Sequence, residues 1–135
     1  MLDTNVLMNI ANKESGYRNI IKKLQQCEAG DVVLSAIVAH ELHYKIEKQR
    51  IGKARKDDLA ELTKPFKVIT FNNKAAEIAS KMRVSLESAG NQIGYWDTLH
   101  AGHAKSLGLV CVTDNVGEYD RVHGLKVENW LRPTK

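Results

Sequence analysis

Asp3, Glu41, Asp97 and the pair Asp114-Asn115 are the residues whose types and positions could do chemistry together. Asp3 follows Met1-Leu2 and precedes Thr4-Asn5 and the apolar run Val6-Leu7-Met8, the pattern of a strand that ends in a carboxylate and two small polar side chains. Ligands of open parallel α/β sheets collect outside the carboxyl ends of the strands, and Asp3 is expected at such an edge. Thr113-Asp114-Asn115 follows the apolar run Leu109 to Val112 in the same way, Asp97 opens a helix, and Glu41 lies one and a half turns into another. Carboxylates brought together there repel one another, so each is expected to have a raised pKa unless a cation neutralises the set. Hard oxygen donors without His or Cys suit Mg²⁺ or Mn²⁺. Such an ion can polarise a phosphoryl oxygen and make a nucleophile of water.

Each acid also has a plainer reading. Asp3 can cap the short helix that runs to Asn12, Asp97 can cap its own helix beside Thr98, and Asp114-Asn115 can make a turn. Glu41 can pair with Lys45 at i,i+4, which contributes only about 0.2–0.5 kcal/mol. What weakens these alternatives is that they must all hold at once.

The elements that position the acids are legible from apolar spacing. Tyr17 to Gln26 is amphipathic through Ile20, Ile21 and Leu24, Val32 to Leu34 is a short buried strand, and Ser35 can cap a helix with the stripe Ile37, Val38, Leu42 and Ile46. Gly52 breaks that helix, and Ala54 to Leu62 continues as a charged one, so the two make a hairpin that can act as a clamp. Pro65 precedes a strand over 66–70. Asn73 is expected to cap a long helix that offers Ala76, Ile78, Ala79, Met82, Val84 and Leu86 to the core and stops at Gly90. A loop through Tyr95-Trp96 leads to the small-residue helix that Asp97 opens. After Gly108 come an apolar strand over 109–112 and a last strand around Leu125 to Val127. Alternating helices and continuously apolar strands indicate a mainly parallel sheet covered on both faces.

A length of 135 residues fits one domain over 1–135. No apolar stretch is long enough for a membrane span and no cleavable leader is visible, so a cytoplasmic location is expected. Cys27 and Cys111 lie far apart in apolar contexts and are expected to be reduced core thiols. The net charge is +4, and Lys45, Lys48, Arg50, Lys53, Arg55 and Lys56 crowd into residues 45–56 against Glu47 alone. A stripe like that attracts a phosphate backbone, though it is also what a solvated helix face looks like.

Taken in order, several stretches resemble one family. They are Leu2-Asp3-Thr4-Asn5-Val6-Leu7; Ser35-Ala36-Ile37 with Glu41-Leu42; Ile93-Gly94 with Asp97; Ala101-Gly102-His103-Ala104 with Gly108-Leu109-Val110; and Val112-Thr113-Asp114-Asn115 with Glu118-Tyr119-Asp120-Arg121-Val122 and Glu128-Asn129-Trp130. Together they resemble the PIN-domain toxins of the VapC family over nearly the whole chain. The resemblance implies a three-layer α/β/α fold and a prokaryotic, metal-dependent endoribonuclease, with tRNA as the expected substrate. It also implies a homodimer restrained by a cognate VapB-type antitoxin whose C-terminal segment enters the active-site groove. The family's acidic active-site positions correspond to Asp3, Glu41 and Asp97, and metal ligation falls chiefly to Asp3 and Asp97. A fourth position corresponds to Asn115, with Thr113 as its polar neighbour and Asp114 in the variable slot. This chain departs from the family in having Tyr95-Trp96 before Asp97, aromatics that can stack on a base or be buried.

Other chemistries fit less well. His40 and His43 are three apart rather than the four of an HExxH zinc helix, and residue 44 is Tyr. His100 and His103 sit among small residues, which suggests packing or dimer contacts. There is no glycine-rich nucleotide loop. The remaining alternative is a non-catalytic RNA- or protein-binding module on the same fold.

Overall fold

Met1 to Asp3 run through the middle of a parallel sheet. The Leu2 amide donates to the Val33 carbonyl at 3.2 Å, the Asp3 amide donates to the Val112 carbonyl at 2.9 Å, and the Val112 amide donates back to Met1 at 2.9 Å. Leu2 forms a parallel bridge with Val112. On one side, β1 (Val33–Ser35) pairs with β2 (Lys67–Ile69), and on the other β3 (Cys111–Val112) pairs with β4 (Val127–Glu128), both in parallel. The order across the sheet is therefore β2, β1, residues 1–3, β3, β4. The computed structural model describes residues 1–133. Residues 134 and 135, part of the single-domain expectation, lie outside the described residues.

Between the strands run α1 (Thr4–Ala11), α2 (Tyr17–Gln25), α3 (Ala36–Lys48), α4 (Lys53–Thr63), α5 (Asn73–Ser88), α6 (Tyr95–Ser106) and α7 (Val116–Tyr119). Strand side chains alternate between faces, and that alternation divides the core. Leu2, Leu34 and Val112 join Val6, Leu7, Ile20 and Val38 on one face. Met1 and Cys111 join Met82, Leu86, Ala101, Ala104 and Tyr119 on the other. The result is the expected three-layer α/β/α arrangement. A third cluster of Met8, Leu42, Ile46 and Leu59 seats the α3–α4 hairpin against α1.

Several local expectations are corrected. Asn72, not Asn73, caps α5, its side chain accepting from the Ala75 amide at 3.0 Å. That register buries Ala75, Ala79, Met82 and Leu86 and leaves Ala76 and Val84 in solvent. The sixth helix starts at Tyr95 rather than Asp97, with Gly94 at its N-cap, so Asp97 is not the cap but a first-turn acid, where the helix dipole favours it. The one-turn helix α7 was not foreseen. Cys27 and Cys111 are free thiols, Cys111 buried and Cys27 partly so. Among the described residues no helix is long and apolar enough to cross a membrane.

Helices α5 and α6 approach closely because Gly102 has no side chain. A Cβ built there would meet the Ala79 Cβ at 2.6 Å and its Cα at 2.7 Å. Backbone that close cannot be relieved by rotating a side chain. Gly102→Ala is expected to destabilise the fold by about 1–3 kcal/mol, the usual cost of overpacking. A urea-unfolding midpoint equal to that of the unsubstituted protein would contradict this.

Candidate active site

Asp3 leaves the sheet with φ −79° and ψ 155° and caps α1. Its Oδ1 accepts from the Thr4 amide and its Oδ2 from the Thr113 hydroxyl, both at 2.8 Å. Capping α1 therefore does not remove Asp3 from this edge, since the same carboxylate caps the helix through one oxygen and meets Thr113 through the other. Burial raises the Asp3 pKa, the bonds from Thr113 and Thr4 counter it, and the charges of Glu41 and Asp114 add to the rise.

Glu41 reaches the same edge from α3. Ser35 starts that helix by accepting from the Ile37 amide at 3.0 Å, and its Oγ also pairs with His103 Nδ1 at 2.7 Å, which ties the start of α3 to α6. The Thr4 hydroxyl donates to Glu41 Oε2 at 2.5 Å. The i,i+4 pairing with Lys45 is not formed, because the Lys45 ammonium turns to Asn5 Oδ1 at 3.3 Å.

Asp97 is the third member. The Tyr119 hydroxyl donates to its Oδ1 at 3.2 Å, and Asn115 Nδ2 approaches its Oδ2 at 3.5 Å. The same Asn115 amide donates to Glu118 Oε2 at 3.0 Å, while the Asn115 backbone amide is held by the Thr113 hydroxyl at 3.0 Å. Asn115 is thus turned toward Asp97, whereas Asp114 is exposed. Burial, the Asp3 charge and a hydrogen bond to Glu118 push the Asp97 pKa up to about 7. Burial acts upward on Glu118 as well, but its bonds with Asn115 and Asp97 outweigh it and hold that carboxyl low. Asp97 is the member of the pair that keeps a proton when no cation is near.

His100 and His103 are both buried, as packing residues would be. Nδ1 of His100 is 2.9 Å from the Tyr119 hydroxyl and 3.9 Å from Asp3 Oδ1. Burial lowers its pKa to about 3, so it is neutral and the 3.9 Å approach is not an ion pair. Thr4, Glu118, Tyr119 and His100 belong to the cluster but were not singled out for it from sequence. Their partners lie 3 to 37 residues away, and only the glutamate, four residues past Asp114, carried a visible signal.

The basic residues are less uniform than their spacing suggests. Arg55 bonds Asn12 at the end of α1, and the Lys48 ammonium sits over the Tyr44 ring at 5.5 Å. Lys53 and Lys56 flank a cleft of about 870 Å³ floored by Leu42, Ile46 and Leu59. Arg50 is exposed at the hairpin turn, with φ 48°.

Among the described residues no three His, Cys, Asp or Glu side chains form a ready-made ion cage. Mg²⁺ does not need one, because it binds through one or two carboxylates and keeps several waters. Asp3 and Asp97, both raised in pKa and held by neutral donors, fit that role.

A family model described as "PIN domain" matches residues 1–124. The tRNA(fMet)-specific endonuclease VapC of Shigella flexneri is 32% identical over 131 residues, 96% of each chain. Ribonuclease VapC2 of Rickettsia felis is 31% identical, again over 96% of each. Among solved structures, VapBC2 of Rickettsia felis bound to a DNA fragment from its promoter matches with a TM-score of 0.85 at 30% identity, covering 96% of this chain and 97% of that one. DNA-bound VapBC from Salmonella typhimurium matches with a TM-score of 0.76 at 32% identity, covering 96% of each chain.

The raised pKa of Asp97 gives a stability signature. Its folded value of about 7 lies above that of an unfolded aspartate, so between about pH 4 and pH 7 the folded state binds more protons than the unfolded one. Stability contributed by this group is present at the acid end and is lost as the pH rises through that window. In metal-free buffer, Asp97→Asn should raise the Tm at about pH 8 and leave it near wild type at about pH 4. Parallel Tm–pH curves for the two proteins would count against the raised value.

Proposed function

Because the chain belongs to the PIN-domain family and to its VapC branch, we propose that it is the ribonuclease toxin of a VapBC-type pair. It hydrolyses RNA phosphodiester bonds with Mg²⁺ or Mn²⁺, takes tRNA as substrate, works as a homodimer and is restrained by a cognate VapB-type antitoxin. The observation that carries this reading is the gathering of Asp3, Glu41 and Asp97 at the carboxyl edge of the sheet, with neutral donors holding each of them.

Asp3 and Asp97 would hold the ion, which when bound supplies Lewis-acid polarisation of the phosphoryl group and a lowered pKa for water. Asp3 is set for this by the Thr4 amide and the Thr113 hydroxyl, which fix both of its oxygens without neutralising them. Glu41, steadied by Thr4, is the acceptor that orients the attacking water. Before an ion is bound Asp97 keeps the proton it shares with Glu118, and Asn115, which approaches both, ties the two together. Lys45, Lys48, Arg50, Lys53, Arg55 and Lys56 give the hairpin the charge that draws an RNA backbone toward this edge. Asp114, exposed beside Asn115, adds negative potential around Asp3 rather than a hydrogen bond.

Cleavage of total tRNA by the purified protein at ~5 mM Mg²⁺ or Mn²⁺, a range suited to weakly held divalent ions, tests the reading. EDTA should abolish cleavage. Asp3→Asn and Glu41→Gln, with their folding checked by circular dichroism, should each lose on the order of a hundredfold or more, since even outer partners of metal ligands cost up to about that. Cleavage that persists in EDTA or in folded Asp3→Asn would refute the metal site. RNA bound but never cut would leave a binding module on the same fold.

A further inference from the structure

Beside the acidic edge, four aromatic side chains form a ladder in solvent. On α3 the rings of Tyr44 and His40 lie 6.5 Å apart with planes only 7° from parallel. His40 stacks across to Trp96 of α6 at 5.2 Å, and Trp96 meets Tyr95 edge-on at 5.6 Å. The ladder ends in cations, with the Lys48 ammonium 5.5 Å from the Tyr44 ring and the Arg83 guanidinium 5.5 Å from that of Tyr95. Despite these contacts Tyr44 is 53%, Trp96 44% and Tyr95 58% exposed. His40 directly precedes Glu41 and Trp96 directly precedes Asp97, so the two middle rungs belong to the helices that carry two of the acids.

We propose that this ladder is a stacking platform for unpaired bases of the RNA substrate, positioned to hold the nucleotides flanking the phosphodiester bond that meets Asp3, Glu41 and Asp97. It rests on the ribonuclease reading above and narrows the substrate to single-stranded segments, such as loops, whose bases can be splayed onto a protein surface. Every base has a π-face, so an aromatic ladder binds bases without demanding one sequence, and cations at its ends suit the phosphates between them. Here both ends of the ring series are capped by a positive group, the complement of a nucleic-acid strand.

Binding measured in EDTA separates stacking from chemistry. The probes are a fluorescent single-stranded RNA about ten nucleotides long, within the ~4–16 nucleotides that single-strand sites cover, and the same backbone with abasic positions. The wild type should prefer the base-bearing probe. Trp96→Ala should lose about tenfold on that probe, the effect of one stacked base, and almost nothing on the abasic one, while Trp96→Phe should retain most of the affinity. Tyr44→Leu, at the other end of the ladder, provides an independent loss, and unchanged Tm values confirm that each variant is folded. Equal weakening on both probes, or none on either, overturns the platform. So does Trp96→Ala that leaves RNA binding intact but dissociates the dimer or abolishes antitoxin binding, because the face would then be a protein interface. The two readings fail separately. Cleavage on adding metal without base-dependent binding removes the platform alone, and base-dependent binding without any cleavage removes the nuclease assignment alone.

Discussion

Three residues in the middle of the sheet carry a disproportionate share of the architecture. Without Met1 to Asp3 the strands fall into two separate pairs, β1–β2 and β3–β4, and bonds from these residues to Val33 on one side and Val112 on the other join them. The same residues feed both hydrophobic layers, Met1 below and Leu2 above, before the chain turns into α1 at Asp3. The position of the first acid is thereby fixed by main-chain bonds on both sides rather than by a loop. Rigid support of this kind suits the role proposed for Asp3, because small displacements of a positioned group cost much of its effect.

The acids are held in an unusual electrostatic manner. Apart from Glu118 beside Asp97, their side-chain partners are the hydroxyls of Thr4, Thr113 and Tyr119 and the amide of Asn115, all neutral. Among the described residues the only Lys or Arg paired with a carboxylate is Arg83 with Glu87, on α5. Neutral donors orient a carboxylate without cancelling its charge, so among the described residues no Lys or Arg relieves the negative charge gathered at this edge. An arginine in the place of Tyr119 would cancel the charge that the proposed ion relieves. Buried, neutral His100 behind Tyr119 continues the same design, since it bonds the hydroxyl without adding charge.

What sequence could and could not show follows the range of the interactions. Ser35 and Gly108 announce helix boundaries because caps and left-handed glycines act within a few residues. The four acid-edge positions stood out because strand ends and helix starts place their own side chains. Asn72 and Asn73 are chemically the same at a helix start, and only the burial of Ala75 over Ala76 chooses between them. Nothing local marks the start of α6, because Gly94 caps it without any side-chain bond. The Thr4–Glu41 and His100–Tyr119 contacts span 37 and 19 residues. No local pattern encodes a meeting of that kind, and it exists only once the layers have packed.

The pairing of residues 1–3 with 110–112 has a consequence for how the protein comes into being. One side of the central rung pairs with Val33, but the other must wait for a partner made more than a hundred residues later, and at ~5–20 residues per second that delay is on the order of 5–20 s during synthesis. Contacts so distant along the chain close late in folding. Asp97 and Asn115 also arrive late, so a growing or prematurely ended chain carries isolated carboxylates but no assembled site. That order of assembly comes from strand order alone.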